Sequence, residues 1–302
     1  MKLIVNVISA MLCLVSITSY ASTVVTQIPL QKNHFFRLDK SYEISGATVV
    51  KNRFYVVTDD DSEKIYEWDP KNTEQELTTS IDLTKIDGYR NYSAANKINF
   101  EGISHCKNAF YIVNEKNNDV LRITNKNFSA LPIDKNVFHL DSDKKGLEGI
   151  AIDCKENRLF VSNQANPQRV FVFNLLHSTY LTTFDLSEQG VTKENNISDL
   201  FFENGYLYVL QKNRTSILMM HIHQDRQRWI KRLDYYAFSG LYDAFDKEGN
   251  KKSKDFAEGL TVLNGTEFYL FYDQGEATSV SDRGEQLGLE PDERGIVAHL
   301  SQ

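Results

Sequence analysis

The sequence predicts an all-β protein, specifically a five-bladed β-propeller, and a recurring pentad is the main reason. Strong copies read Phe100–Ser104, Leu147–Ala151 and Ala257–Thr261, and weaker copies read Ile44–Thr48 and Ile197–Phe201. The second residues of these pentads, at positions 45, 101, 148, 198 and 258, are 56, 47, 50 and 60 residues apart. A repeat of about 50 residues built from short strands is typical of propellers. Six blades is the alternative, and it requires a further blade within the polar segment 236–257.

The strand pattern around each pentad completes the predicted blade. The pentad begins an inner strand, and an aromatic, β-branched second strand follows, for example Ala109–Val113. Third and fourth strands follow in most units, but the last unit ends at Leu300 with three. We predict that Val25–Leu30 supplies the missing strand by pairing with Ile296–Leu300, which closes the ring and removes its exposed edges.

The N-terminus predicts export. Lys2 precedes the apolar stretch Leu3–Ile17, and Ser19-Tyr20-Ala21 has the small-x-small pattern of a signal-peptide cleavage site. We therefore divide the chain into a signal peptide, residues 1–21, and a single propeller domain, residues 22–302. No later segment is long and apolar enough to span a membrane. We expect a monomeric bacterial protein of the periplasm or the exterior.

Charge argues against one class of partner. The chain has a formal net charge of −7, which becomes −8 once Lys2 is removed, and no basic stripe is present. These features disfavour a nucleic-acid-binding surface.

Two cysteines remain after the signal peptide. Cys106 and Cys154 follow their pentad glutamates by five and six residues, where the inner strand turns into the second strand. Neighbouring blades bring such turns together, and exported proteins keep disulfides. We predict a Cys106–Cys154 disulfide, the alternative being two unlinked buried thiols.

The repeat also gathers polar side chains at one face of the disc, where inner strands begin and second strands end. Carboxylate and amide oxygens suit a hard cation, so we predict a site for Ca²⁺, with Mg²⁺ as second choice. The candidate ligands are Glu101, Glu148, Glu258, Asp199, Asn114 and Asn163. The candidate residues of the surrounding ligand face are Asp59, Glu115, Gln164, Gln211, Arg214 and Asp273. Alternatively, the Glu-Gly pairs are closure devices, with glutamate bonded to backbone N–H groups of the next blade and glycine allowing close approach.

The Ser-Gly, Glu-Gly and Ser-Asp alternation resembles the SdiA-regulated (YjiK-like) family of bacterial propellers. More distantly, it is similar to esterase-like phytase domains and to gluconolactonases and paraoxonases. The resemblance implies an exported propeller. In the lactonase relatives a Glu-Gly at the start of an inner strand contributes a ligand to a divalent cation, which carries over to Glu101, Glu148 and Glu258. Asp199 departs from the pattern, because the other four units have glycine there.

Two classes of function follow from these features. The first is a non-catalytic, cation-stabilised propeller that binds a small molecule, a glycan or an envelope protein. The second is a metal-dependent hydrolase of a phosphoester, ester or lactone, which would need a further acid or histidine near the metal. Long loops enter the inner strands on the glutamate face, so we place either function there.

Overall fold

The computed structural model describes most of the chain after residue 23. The described residues are 24–27, 35–40, 42–59, 61–72, 74–138, 146–164, 167–189, 196–212, 216–223, 226–234, 242–245, 251–253, 256–273, 279–280 and 295–301. The predicted signal peptide and Arg214 lie outside these ranges. Within them, no helix has the length and apolar character needed to cross a lipid bilayer.

Five antiparallel sheets form a five-bladed propeller, as predicted. Two short strands come first: β1 (Val24–Gln27) and β2 (Phe35–Arg37). Blade 1 contains β3 (Ile44–Val50), β4 (Arg53–Thr58), β5 (Lys64–Trp68) and β6 (Thr78–Asp82). Blade 2 contains β7 (Phe100–Cys106), β8 (Ala109–Asn114), β9 (Asp119–Ile123) and β10 (Phe128–Ala130). Blade 3 contains β11 (Leu147–Asp153), β12 (Arg158–Asn163), β13 (Arg169–Asn174) and β14 (Tyr180–Asp185).

The remaining strands complete the ring and add a small sheet. Blade 4 contains β15 (Ile197–Glu203), β16 (Tyr206–Gln211), β17 (Ser216–His223) and β18 (Arg226–Asp234). A separate three-stranded sheet contains β19 (Tyr242–Phe245), β20 (Lys251–Ser253) and β23 (Ser279–Val280). Blade 5 contains β21 (Phe256–Leu263), β22 (Glu267–Asp273) and β24 (Ile296–Ser301), with β2 as its outer strand. The described strands of the segment 236–257 belong to this small sheet and to β21, so its described part forms no sixth blade.

Helical structure in the described part is confined to short segments between strands. The α-helix α1 (Tyr89–Ala95) precedes blade 2. Four 3-10 helices span Leu83–Lys85, Glu115–Asn117, Lys135–Phe138 and Leu186–Gln189.

The closing strand is not the one that the sequence suggested. β2 pairs antiparallel with β24, with Phe36 opposite Val297, whereas β1 pairs in parallel with β18 of blade 4. The prediction that Val25–Leu30 closes the ring is thus wrong, although an N-terminal strand does close it. The rings of Phe36 and Trp68 of blade 1 pack edge to face, with their centroids 5.3 Å apart. This contact joins the closing strand to the next blade, which favours the aromatic segment over the earlier one.

Ring closure is also visible in the packing of the blades. The buried apolar residues form five clusters, one at each interface between neighbouring blades. The cluster between blades 5 and 1 includes Trp68, whose ring centroid lies 6.3 Å from that of Tyr269 and 5.6 Å from that of Phe271. Burial of this kind contributes about 25 cal/mol per Å² of apolar surface, so every interface stabilises the disc.

The disulfide between Cys106 and Cys154 is present, as predicted, with Cα atoms 5.7 Å apart. It joins the hairpin turns of blades 2 and 3. A crosslink that encloses 48 residues stabilises the folded state by about 4 kcal/mol in the chain-entropy picture.

Truncation distinguishes the two N-terminal strands. We expect a chain lacking residues 22–31 to lose only the added edge of blade 4 and to retain most of its melting temperature. A chain lacking residues 22–37 loses the outer strand of blade 5 and the Phe36–Trp68 contact, so it should melt at a much lower temperature. Circular dichroism melts of the two truncations test this, and equal melting temperatures would contradict the pairing of β2 with β24.

Candidate functional site

A β-bulge lies at every pentad, at the end of the disc where the inner strands begin. This end of the central channel is here called the mouth. The register between the inner and second strands shifts within each pentad, for example between Phe100 and Ile103 and between Leu147 and Ile150, and the same occurs in the other three blades. A bulge leaves a residue outside the ladder and redirects its side chain. The residues so placed, here called the pentad ring, are Ser45, Glu101, Glu148, Ser198 and Glu258.

A second set of side chains lies at the same end of the blades. In each blade the first pentad residue pairs with a residue near the end of the second strand, as Phe100 does with Asn114 and Ile197 with Gln211. The residue that follows this partner stands at the rim. This set, here called the rim ring, contains Asp59, Glu115, Gln164, Lys212 and Asp273.

The strand register places Gln211, one of the predicted residues of the ligand face, below the rim. Gln211 is 1% exposed, and its side-chain oxygen accepts a hydrogen bond from Ser216 Oγ at 2.8 Å. It therefore occupies the buried position below the rim, and Lys212 takes the rim position of blade 4. Both residues lie at the end of β16, and the pairing of Gln211 with Ile197 leaves Lys212 as the next residue towards the mouth.

The pentad glutamates are buried, and a lysine lies among them. Glu101, Glu148 and Glu258 are 8%, 3% and 7% exposed. The Lys212 ammonium forms an ion pair with Glu258. Like charges held together in a poorly hydrated site require protonation or a cation between them. This protein supplies such a cation from its own chain.

Protonation offsets much of the remaining charge. Burial raises the pKa of Glu101 well above its usual range, and repulsion from Glu148 and Asp59 adds to this effect. Burial raises the pKa of Glu148 to about 8, against the opposing effect of Lys212. Asp59 is more open to solvent, yet loss of hydration and repulsion from Asp273 raise its pKa to about 7. The mouth therefore takes up protons at neutral pH.

Glu115 of the rim ring and Glu101 of the pentad ring form hydrogen bonds with the neighbouring loops. The Asn99 amide donates to Glu101 at 2.6 Å and to Glu115 at 3.1 Å. Glu115 also accepts from the Gly146 N–H at 3.2 Å and pairs with the exposed Lys116 at 2.9 Å. Blades 2 and 3 thus share one polar network at the mouth.

Two predicted amide ligands have structural roles. The Asn114 amide donates to Tyr92 Oη at 2.8 Å and to the Lys97 carbonyl at 3.0 Å, and its oxygen accepts from the Asn99 N–H. The Asn163 oxygen accepts from the Arg169 N–H at 2.8 Å. Both side chains form hydrogen bonds that hold loops beside the mouth. We therefore do not include them among the proposed ligands of the cation.

Asp199 is also committed to the backbone. It is fully buried and accepts N–H bonds from Leu200 at 2.8 Å, Leu260 at 2.9 Å and Ala47 at 3.4 Å. These donors belong to blades 4, 5 and 1. Asp199 therefore links three inner strands, which makes it a closure residue.

The closure alternative holds for the glycines and serines of the pentads. A Cβ on Gly102 would lie 2.7 Å from the Glu148 carbonyl oxygen, so only glycine permits this approach of neighbouring inner strands. Ser45 and Ser198 donate to carbonyl groups of the next blade, at Phe100 (2.6 Å) and Ala257 (2.8 Å). The partners described above for Glu101 and Glu258 are side chains, those of Asn99 and Lys212.

The side chains at the mouth determine whether a metal ion can bind there. The oxygen-only donor set of the mouth suits Ca²⁺. However, the described residues contain no group of three or more His, Cys, Asp or Glu side chains already arranged to hold a metal ion. The Lys212–Glu258 pair lies where a converging cluster would need to form.

Comparisons with known proteins agree with the fold. The chain resembles glutaminyl cyclase from Myxococcus xanthus with a TM-score of 0.54 and 10% identity, over 93% of this chain and 99% of that chain. A PQQ-bound aldose sugar dehydrogenase from Streptomyces coelicolor gives a TM-score of 0.45 and 9% identity, over 88% and 97% of the two chains. At such identities the likeness to the cyclase concerns the fold alone, and the second likeness carries no argument.

Sequence comparison is more specific. No curated protein matches the chain. The model of the SdiA-regulated family, however, matches residues 89–249, which is more than half of the sequence. The chain therefore belongs to the SdiA-regulated family.

Proposed function

We propose that this protein is an exported, non-catalytic binding propeller whose channel mouth takes a cation, Ca²⁺ in the first place. The observation that carries the proposal is the charge of the two rings. They hold six carboxyl groups, from Glu101, Glu148, Glu258, Asp59, Glu115 and Asp273, and one ammonium group, from Lys212, while the exposed Lys116 at their edge pairs with Glu115. A mouth of this composition attracts cations and concentrates them.

The residues that would hold Ca²⁺ are Glu101, Glu148 and Asp59, whose pKa values are raised first by burial and further by neighbouring carboxyl groups. Ca²⁺ accepts six to eight oxygen ligands in flexible geometry, whereas Mg²⁺ requires a near-ideal octahedron. Carboxylates on separate blades meet the first requirement more readily. The Lys212 ammonium pairs with Glu258 and also acts electrostatically on all three of these carboxyl groups, so Ca²⁺ bound by them would repel it from Glu258.

The partner of the protein is proposed to bind the same face. The mouth and the described segment 83–99, which leads into β7, lie at one end of the disc, and surface loops carried by a rigid scaffold are the usual place for recognition. The partner classes remain a small molecule, a glycan or an envelope protein.

The hydrolase alternative finds no support among the described histidines. His105 and His223 lie at strand ends on the face opposite the mouth, as does His177 in the turn after β13, and His221 is two residues before His223. His299 stacks on Tyr269 within blade 5. We therefore place binding first.

Calcium and pH should act on stability together. A carboxyl group whose pKa is raised in the folded state favours folding at low pH, and this contribution is lost as the pH rises from about 4.5 to about 8. With a chelator, we expect the melting temperature to fall between pH 5 and pH 8.5. Calcium competes with protons and binds the ionised mouth, so it should reverse most of that fall at pH 8.5 and have little effect at pH 5. At a hundred times its dissociation constant, it adds about 2.7 kcal/mol.

Differential scanning calorimetry with calcium or chelator measures this response. Glu148→Gln should reduce the calcium effect at pH 8.5, while Glu156→Gln, the same change on the opposite face of blade 3, should leave it intact. Melting curves that are unchanged by calcium and chelator at pH 8.5 would contradict the calcium proposal and leave Lys212 as the counter-ion of Glu258.

A further inference from the structure

A second concave site lies between blades 1 and 2, on the face opposite the channel mouth. It has a volume of about 730 Å³ and is lined by the hairpin turns at Lys51 and Lys107, the turn at Lys126, and side chains of the facing sheets. The turns that carry Lys51 and Lys107 are each two residues long, which fixes their backbone positions. The Cys106–Cys154 disulfide anchors the second turn to blade 3.

The charge of this groove opposes that of the protein. Its lining includes four basic side chains, from Lys51, Arg53, Lys107 and Lys126, and the described residues that line it include no aspartate or glutamate. Arg53 pairs at 3.0 Å with Glu67, which is not part of the lining. A cluster of positive charge in a chain of net charge −7 creates a local field that attracts anions.

A groove of similar size elsewhere in the ring differs in charge. Between blades 3 and 4, a cavity of about 810 Å³ is lined by Asp153 and Glu156 as well as Lys155 and Arg158. Arg158 is paired with Asp153 at 2.7 Å. This groove is balanced, so positive charge is not a general property of the gaps between blades.

The groove between blades 1 and 2 also has an aromatic wall. Tyr55 and Phe110 are both partly exposed, and their ring centroids lie 5.0 Å apart. His105 packs on Phe110 at 4.9 Å, and burial together with the nearby Lys51 ammonium lowers the pKa of this histidine. Exposed aromatic faces beside cations suit a ligand with a planar apolar part and a negative group.

We propose that the groove between blades 1 and 2 binds a small anion that carries an aromatic ring, such as an aryl phosphate, sulfonate or carboxylate. Lys51 and Lys107 contact the anionic group from the two hairpin turns, with Lys126 beside them. The ring of the ligand packs on Tyr55 and Phe110. This site is separate from the channel mouth and does not depend on the cation proposed there.

Phenyl phosphate is a suitable probe, and NMR of the ¹⁵N-labelled full-length mature protein can follow its binding. We expect saturable shifts in the backbone amides of residues 51–55, 105–110 and 124–126. The Lys51→Gln/Lys107→Gln double variant should weaken binding at least tenfold. Inorganic phosphate should bind at least fivefold more weakly than phenyl phosphate, and benzyltrimethylammonium should not shift these amides.

The control is the Lys71→Gln/Lys155→Gln double variant, which makes the same change in net charge outside the groove and should bind phenyl phosphate as the unchanged protein does. An equal loss in both double variants would overturn the site in favour of general charge attraction. Equal affinities for inorganic and phenyl phosphate would overturn the aromatic contact. The absence of shifts in the groove at saturating probe would overturn the proposal as a whole.

Discussion

Replacing Asp199 by alanine is expected to destabilise the propeller by at least about 3 kcal/mol. The change leaves the buried N–H groups of Leu200, Leu260 and Ala47 without their acceptor. Each unsatisfied buried donor costs about 1 to 3 kcal/mol. Because these donors belong to three blades, the loss should affect the whole disc rather than one sheet.

Urea unfolding of the purified protein measures this cost. Ser198→Ala is the matched control, because it removes a single bond between blades, the 2.8 Å bond to the Ala257 carbonyl. That bond contributes about 1 kcal/mol. If Asp199→Ala proves no more destabilising than Ser198→Ala, Asp199 does not link the inner strands as described.

Replacing Gly149 by alanine should be almost as damaging, although it adds one methyl group. The added Cβ would lie 2.7 Å from the Asp199 carbonyl carbon and from the Leu200 nitrogen, which are backbone atoms of the next inner strand. Backbone atoms cannot rotate away, so blades 3 and 4 must separate. Overpacking of this kind costs about 1 to 3 kcal/mol or more.

Gly205→Ala separates steric from conformational effects. Gly205 lies in a hairpin turn with φ of +85°, and the nearest atom to an added Cβ would be 3.7 Å away. Its substitution should cost about 1 to 2 kcal/mol through the left-handed backbone alone. Urea titrations of both variants compare the two sites, and a smaller loss for Gly149→Ala than for Gly205→Ala would contradict the close contact of the inner strands.

Much of the fold follows from the sequence because the repeat is local. The pentads, the aromatic second strands and the turn that carries each cysteine recur with nearly constant spacing, so five blades and the Cys106–Cys154 bond could be predicted. The closing strand depends on long-range pairing instead. Val24–Gln27 and Phe35–Arg37 are both short extended segments, and their partners, β18 and β24, cannot be distinguished by local pattern.

The arrangement of the site was harder to predict from the sequence, because it also depends on contacts between distant parts of the chain. The acidic residues of the mouth could be identified, but the pairing of the strands in three dimensions determines which neighbouring residue stands at the rim. This pairing places Lys212 at the rim and Gln211 below it. The ion pair between Lys212 and Glu258 could not be predicted from the residue types alone. Asn114 and Asn163 have the chemistry of ligands, yet their bonds to nearby loops appear only in three dimensions.

We propose that the acidic mouth takes a cation in place of Lys212. A crystal structure grown at pH 8.5 with calcium tests this most directly, because the ion can be located from its anomalous signal. We expect a peak bound by Glu101, Glu148 and Asp59, with the Lys212 ammonium displaced from Glu258. A mouth without such a peak, in which Lys212 remains paired with Glu258, would contradict it.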